Sequence, residues 1–111
     1  MKKDPKIFIE HILESIQHIE NYSRHLTEEQ FNTDHAMQDA IIRRLEIIGE
    51  AVKNIAIFFK DKHPNIPWKQ MAGMRDILIH EYFDIDLALT WKVVQRELPS
   101  IKEKLLAILA L

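Results

Sequence analysis

The feature that most restricts how this chain can fold is an apolar stripe in its middle third. After Asp34, large aliphatic and aromatic residues recur at intervals of three or four. They are Ile41, Leu45, Ile48, Val52, Ile55 and Phe59. Residues at this spacing lie on one face of an α-helix. The pattern predicts a helix from about His35 to Lys60 that packs through this face against a core.

The first third of the chain carries the same signals. Asp4-Pro5 combines a capping side chain with proline at the first helical position, which predicts a helix start. That helix is expected to run to about His25. Its apolar face consists of Ile9, Ile12, Leu13, Ile16 and Ile19. Thr27 with Gln30 reads as a capping box that opens a short turn.

Boundary signals also divide the second half. His63-Pro64 marks the end of the central helix, and Pro67-Trp68 opens the next, which is expected to carry the segment Arg75–Tyr82. Asp86 can cap a last helix from Leu87. Pro99 is expected to kink or divide that helix, because proline removes a donor and clashes with the preceding turn.

Composition agrees with a helical protein. Two glycines and four prolines in 111 residues leave little material for turns. We therefore expect a single domain over residues 1–111, an all-α antiparallel bundle of four to five helices with no sheet. The chain lacks cysteine, an apolar run long enough to span a bilayer and a signal peptide, which together favour a cytoplasmic protein without a membrane partner. A formal net charge of −2 is not that of a general nucleic-acid binder.

The polar residues of most interest lie in the segment Arg75–Tyr82. It holds a guanidinium, which suits a phosphate, and an imidazole, which can take and give a proton near neutral pH. On a regular helix, two residues five positions apart are rotated by about 140° around the axis and separated by about 7.5 Å along it. Arg75 and His80 would therefore diverge, whereas Asp76 would share a face with His80 and could fix its tautomer. Arg75 would share a face with Tyr82. The alternative is a surface arginine paired with an acid, and a core histidine.

A second polar set follows the central helix on the face opposite the apolar stripe. Its members are Asp39, Arg43, Glu46 and Glu50. One interpretation is a solvated face with ion pairs between neighbouring turns. The other is the lining of a cleft or a dimer contact. His11, His18 and His25 are seven apart, too far along a helix to share a metal ion, so no metal or other cofactor is expected.

An ordered series of segments resembles the HepT toxins of the HEPN superfamily, with their R-x4-H-x-Y motif. The resemblance covers roughly Ala40 to Pro99. Its pieces are Ala40–Ala51, Ile66-Pro67-Trp68, Met74-Arg75-Asp76, Ile79-His80-Glu81-Tyr82, Trp91 and Leu98-Pro99. HEPN motifs often carry asparagine after the arginine, and here the residue is Asp76, which would orient His80 but repel a phosphate.

The resemblance implies a HEPN-like fold and a metal-independent endoribonuclease that cleaves tRNA or mRNA. The RNA 2′-hydroxyl would attack the adjacent phosphate, with His80 as general base or acid and Arg75 stabilising the transition state. It also implies a homodimer, since one histidine does not readily serve as base and acid in one step.

The expected protein partner is a nucleotidyltransferase antitoxin of the MNT type, which would add AMP to Tyr82 and silence the nuclease. Without the resemblance, Tyr82 reads equally well as a half-buried aromatic at a helix end. Neither glycine is followed by serine, so the chain lacks that transferase's own phosphate loop. Two rival interpretations remain: a non-catalytic helical subunit that binds a nucleotide or substrate within a nucleotidyltransferase complex, and a plain dimerisation module.

Overall fold

The first half of the core is formed by two long helices. A computed structural model describes residues 4–81 and 84–111. Helix α1 (Pro5–Ser23) begins where Asp4 accepts a hydrogen bond from the backbone amide of Lys6. Helix α2 (Glu28–Thr33) begins with the predicted capping box between Thr27 and Gln30. Helix α3 (His35–Lys53) is capped by Asp34 and packs closely on α1.

The apolar faces predicted for these helices are the ones that are buried. The fully buried members are Ile9, Ile12, Ile16 and Ile19 from α1, and Ile41, Leu45, Ile48 and Val52 from α3. Leu13 is only partly buried at the edge of the core. The predicted all-α class is confirmed.

The central helix is shorter than its stripe suggests. Helix α3 ends at Lys53, where the Asn54 amide group donates to the Glu50 carbonyl at 2.8 Å and the backbone tightens. The expectation of one helix to Lys60 is therefore wrong. A separate helix α4 (Ile57–Lys62) follows and ends before Pro64, as predicted. Ile55 is buried, but Phe59 is only partly buried.

The helix predicted from Trp68 through Tyr82 is also divided. Helix α5 (Trp68–Ala72) starts at the predicted place, and α6 (Met74–Leu78) follows Gly73. The chain then turns into strand β1 (Ile79–Glu81), which pairs antiparallel with β2 (Asp84–Ile85). The expectation that this protein has no sheet is wrong here.

The last part of the fold is one helical stretch of three pieces. Helix α7 (Leu87–Lys92) is capped by Asp86 as predicted. A π-helical turn (Val93–Glu97) follows, and α8 (Leu98–Leu109) carries Pro99 in its first turn. The division expected at Pro99 thus lies just before it, because the wider π turn accommodates the missing donor and the clash with the preceding turn. None of the described helices is both long and apolar enough to cross a membrane.

The contact between α3 and α5 depends on a glycine. A Cβ atom placed on Gly49 would lie 3.1 Å from the carbonyl oxygen of Ala72 and 3.2 Å from that of Met71. These contacts are tighter than a Cβ atom usually makes, so with a side chain at this position the two backbones would have to move apart by a few tenths of an ångström. This contact sets α6, which follows α5 directly, beside the polar face of α3.

Candidate functional site

Helix α6 presents Arg75 to solvent because its neighbours face the core. Met74 and Leu78, one turn apart, are buried, so the residues between them point outward. The Nε of Arg75 donates to Oε2 of Glu46 at 3.0 Å, across from α6 to α3. The Arg75 side chain remains 51% exposed. Its two terminal nitrogens are therefore available to a ligand.

Arg75 lies at a groove of about 240 Å³ between α3 and the α5–α6 pair. The charged side chains that line it are Arg43, Glu46, Glu50, Lys53, Arg75 and Asp76. Three of the four residues of the polar stripe on α3 are among them. The fourth, Asp39, is exposed but is not part of the lining. The stripe is thus largely a groove wall in this fold, with three cationic and three anionic groups.

His80 lies in strand β1 rather than on a helix, and its side chain is exposed. Ile79 and its cross-strand partner Ile85 pack against the core. The register shifts between Ile79 and Glu81, so His80 lies at an irregularity of the strand pairing, and its side chain is 57% exposed. The core histidine of the alternative interpretation is therefore wrong, whereas its surface arginine paired with an acid agrees with the pair Arg75–Glu46.

The partner of His80 is Asp86. Its Oδ2 lies 3.6 Å from Nε2 of His80, within ion-pair range but beyond a hydrogen bond. Asp86 is itself well anchored, because its Oδ1 accepts from the Leu89 amide at 3.0 Å and its own amide donates to the Leu78 carbonyl at 2.7 Å. A single carboxylate therefore caps α7 and faces His80.

The expectation that Asp76 and His80 lie on the same face of one helix is wrong. Because α6 ends at Leu78, the two residues do not share a helix face, and Asp76 lines the groove instead. Since α6 ends at Leu78, helical spacing no longer gives a reason to place Arg75 beside Tyr82. Tyr82 itself lies outside the described residues. The sequence interpretation recognised Asp86 only as a helix cap and missed its contact with His80.

The two tryptophans have structural roles. Trp68 is buried and its Nε1 donates to the His63 carbonyl, while Trp91 stacks on Phe31 with ring centroids 5.4 Å apart. In residues 4–81 and 84–111, no three or more histidine, aspartate or glutamate side chains are grouped as metal ligands would be. Among the apolar residues of the last part of the chain, Leu105 and Ile108 are buried in the core, whereas Leu106 and Leu111 are exposed.

The fold and the site together define an all-helical domain that presents an exposed arginine and an exposed histidine, each paired with a carboxylate from elsewhere in the chain. Residues 12–108 match the model of the family described as "Ribonuclease HepT-like". The chain therefore belongs to the HepT-like ribonuclease family, as its motif predicts.

Curated relatives agree with this assignment. The chain is 54% identical over 109 residues to "Gamma-glutamylcyclotransferase and putative RNase" of Methanocaldococcus jannaschii, covering 98% of this chain but 49% of that longer protein. It is 50% identical over 104 residues to "Probable ribonuclease HepT" of Thermococcus cleftensis, covering 94% of each. It is 40% identical over 107 residues to "Putative RNase" of Caldanaerobacter subterraneus, covering 96% of each. No solved structure gives a significant match.

Proposed function

We propose that this protein is a metal-independent endoribonuclease, the toxin of a HepT/MNT-type toxin–antitoxin pair, and that Arg75 and His80 carry the reaction. The observation that supports this most is the exposure of both side chains in a member of a ribonuclease family, with one nitrogen of each facing a carboxylate. Each carboxylate limits the freedom of its partner and leaves other nitrogens available to the substrate.

The chemistry follows from these groups. The 2′-hydroxyl of the RNA attacks the adjacent phosphorus, and a histidine removes its proton as the bond forms. The bond to the 5′-oxygen breaks, and that oxygen receives a proton, leaving a 2′,3′-cyclic phosphate and a free 5′-hydroxyl. The terminal nitrogens of Arg75 bind the phosphate and stabilise its developing charge.

A homodimer is part of the proposal because the reaction needs a base and an acid at once. Two protomers around one scissile phosphate supply two copies of His80 and of Arg75. The exposure of both residues is compatible with a shared site, since neither is sealed within its own protomer. The RNA substrate is proposed to be tRNA or mRNA.

The protein partner is proposed to be an MNT-type nucleotidyltransferase that transfers AMP to Tyr82. This step rests on the motif, in which Tyr82 follows His80 by two residues. An adenylate at that position adds a bulky anion close in sequence to the proposed catalytic pair and would compete with the RNA phosphate. Mass spectrometry after co-expression with the partner should find AMP on Tyr82, and modification confined to another residue would refute this assignment.

The direct test is RNA cleavage by the purified chain in EDTA. Cleavage should leave a 2′,3′-cyclic phosphate, and Arg75→Ala or His80→Ala should each lower the rate by about 10²- to 10⁴-fold. Arg96→Ala and His25→Ala are matched controls, because both residues are exposed and lie in other parts of the fold. Controls that lose as much activity as the site variants would contradict the assignment of residues.

One observation favours a second candidate function. Glu46, Glu50 and Asp76 put three carboxylates in the groove beside Arg75, and carboxylates repel a phosphate. A non-catalytic helical subunit that docks on a nucleotidyltransferase through this face would need no phosphate in the groove. Wild-type protein that is inert on tRNA and mRNA without its partner would favour this alternative.

A further inference from the structure

A second groove adjoins the one that contains Arg75. It lies between α4 and α5 and has a volume of about 720 Å³. Ala72 lines both grooves, so they are neighbours at the end of α5. The larger groove has an apolar floor that includes Ile57, Ile66 and Pro67. Lys60 and Lys69 stand at its rim, with Asp61 as the one carboxylate of the lining.

The charge of this region differs from that of the rest of the chain. Residues 53–69 contain four lysines and one aspartate, a formal charge of +3, whereas the whole chain carries −2. The remaining residues therefore sum to −5. Lys53 ends α3 and pairs with Glu50, and the rest of the stretch forms α4 and the start of α5, next to the proposed catalytic groove.

The lysines at the rim are available for binding. Within the described residues, neither Lys60 nor Lys69 forms an ion pair with a carboxylate. Beside them, the Ile57 side chain is 73% exposed, an unusual position for a large aliphatic residue in a helix. Unpaired cations around an apolar floor suit a ligand that has both phosphates and flat, weakly polar faces.

We propose that this groove binds the nucleotides of single-stranded RNA that flank the scissile phosphate. Lys60 and Lys69 contact backbone phosphates, and bases lie against the apolar floor. The inference rests on the proposed nuclease function, which it deepens by assigning a path for the substrate. A strand leaving Arg75 passes Ala72 and enters this groove.

Charge also argues against a second copy of the chain as the occupant. A two-fold contact pairs a surface with itself, so the lysines of one groove would face the lysines of the other. A polyanion has the complementary charge. An acidic protein segment is the competing occupant, and the experiment below separates it from RNA.

The test measures binding to a single-stranded RNA oligonucleotide that is 2′-O-methylated throughout. This probe lacks the attacking hydroxyl, so binding is measured independently of cleavage. The double variant Lys60→Gln/Lys69→Gln is compared with Lys6→Gln/Lys92→Gln, in which two exposed lysines from other helices are changed. Both variants change the net charge from −2 to −4, so any difference between them reflects position.

We expect the groove variant to bind about tenfold more weakly than the wild type. Its plot of log affinity against log salt concentration should lose about 1.4 units of slope, since each phosphate contact on a single strand contributes about 0.7. The control should keep the wild-type slope. Equal losses in both double variants, or none in the groove variant, would overturn the proposal.

A second substitution tests the apolar floor. Ile57→Ser should weaken binding about threefold without changing the salt slope, because it removes base contacts and no phosphate contact. Leu111→Ser is its control, as Leu111 is 85% exposed and lies outside the lining of the groove. If the groove substitutions leave RNA binding intact but abolish association with another protein, the occupant is a protein and the proposal is wrong.

The outcomes for the groove and for catalysis are separable. Binding that depends on Lys60 and Lys69, with no cleavage of unmodified RNA, would support the groove and refute the nuclease. Cleavage that depends on Arg75 and His80, with RNA binding unaffected by the groove variant, would support the nuclease and refute the groove.

Discussion

In the interface between α1 and α3, isoleucines from both helices are completely buried, whereas in the segment from Met74 to Asp86 the two proposed catalytic side chains are more than half exposed. The interface has two helices of 19 residues each. The segment has a five-residue helix and two short strands. Burial of apolar area stabilises the first region. The second depends on a few buried anchors and on polar contacts with distant residues.

This difference separates stability from function within one small domain. Exposed ion pairs contribute little to folding, because solvent and side-chain entropy offset most of their attraction. Their value at the site is orientation: Glu46 faces one nitrogen of Arg75, and Asp86 faces one nitrogen of His80. Substitutions in the interface should therefore change the free energy of unfolding, and substitutions of the two carboxylates should change mainly the rate of cleavage.

The largest expected effect on stability belongs to the interface. Ile16 is fully buried, and Ile16→Ala should lower the free energy of unfolding by about 2–5 kcal/mol through lost transfer energy and a cavity. Urea unfolding measures it, with Ile7→Ala on the same helix as the control, since Ile7 is 42% exposed. Cleavage per folded molecule should stay unchanged, and a selective loss of activity would show that the two regions are coupled.

A smaller effect is expected where the two regions meet. Gly49→Ala places a methyl group 3.1 Å from the Ala72 carbonyl oxygen, a backbone atom that cannot rotate away. Overpacking should exceed the gain in helix propensity and leave a net loss of about 1–2 kcal/mol. Cleavage should fall as well, because α5 and α6 are displaced from the groove.

The control for this substitution is the other glycine. At Gly73 the added Cβ would lie 3.5 Å from its nearest neighbour, an ordinary contact, and the backbone φ of −96° suits alanine. Gly73→Ala should leave stability unchanged or raise it by up to about 1 kcal/mol. Equal destabilisation by both substitutions would contradict the importance of the close approach at Gly49.

Asp86 allows the two kinds of contribution to be separated at one residue. Asp86→Ala should cost about 1 kcal/mol, because the α7 cap is lost. Asp86→Asn should keep the cap, since asparagine serves as well at that position, but remove the charge facing His80. Both variants should cleave RNA more slowly, and only the alanine should lower the unfolding midpoint in urea. An asparagine variant with wild-type activity would limit Asp86 to its capping role.

The smallest effect on stability is expected at Glu46. Glu46→Ala should change the free energy of unfolding by no more than about 0.5 kcal/mol, since its pair with Arg75 is partly exposed. The kcat of this variant should nevertheless fall several-fold, because Nε of Arg75 loses its hydrogen-bond acceptor. Glu46→Gln should restore most of the activity, as its amide oxygen can accept the same hydrogen bond. Glu103→Ala, at an exposed position on α8, is the control.

Much of the fold could be predicted because its signals are local. The caps at Asp4, Thr27 and Asp86 appear where the sequence indicates, and α3 begins directly after Asp34 as predicted. The buried faces of α1 and α3 follow from the spacing of their isoleucines. Local signals failed where regular spacing continued across a break. Ile55 and Phe59 stay in phase with α3, although the helix has already ended at Lys53.

The site was predicted less completely than the fold. The ordered series of segments that includes Arg75 and His80 indicated the family, but helical geometry predicted the wrong relation between His80 and Asp76, since α6 ends at Leu78. The spacing of residues in the sequence does not show that His80 lies in a strand with its side chain exposed. The contact with Asp86 depends on the hairpin that brings the start of α7 back to the end of α6.

The amino-acid sequence alone determined the helical class, the core faces, most helix starts and the family, because periodicity, capping and motifs act over a few residues. Tertiary structure decided which carboxylate faces each proposed catalytic side chain. Glu46 is 29 residues from Arg75, and the packing of α3 against both α5 and α6 brings them together. Such pairs depend on how helices pack against one another, and packing is a property of the whole chain.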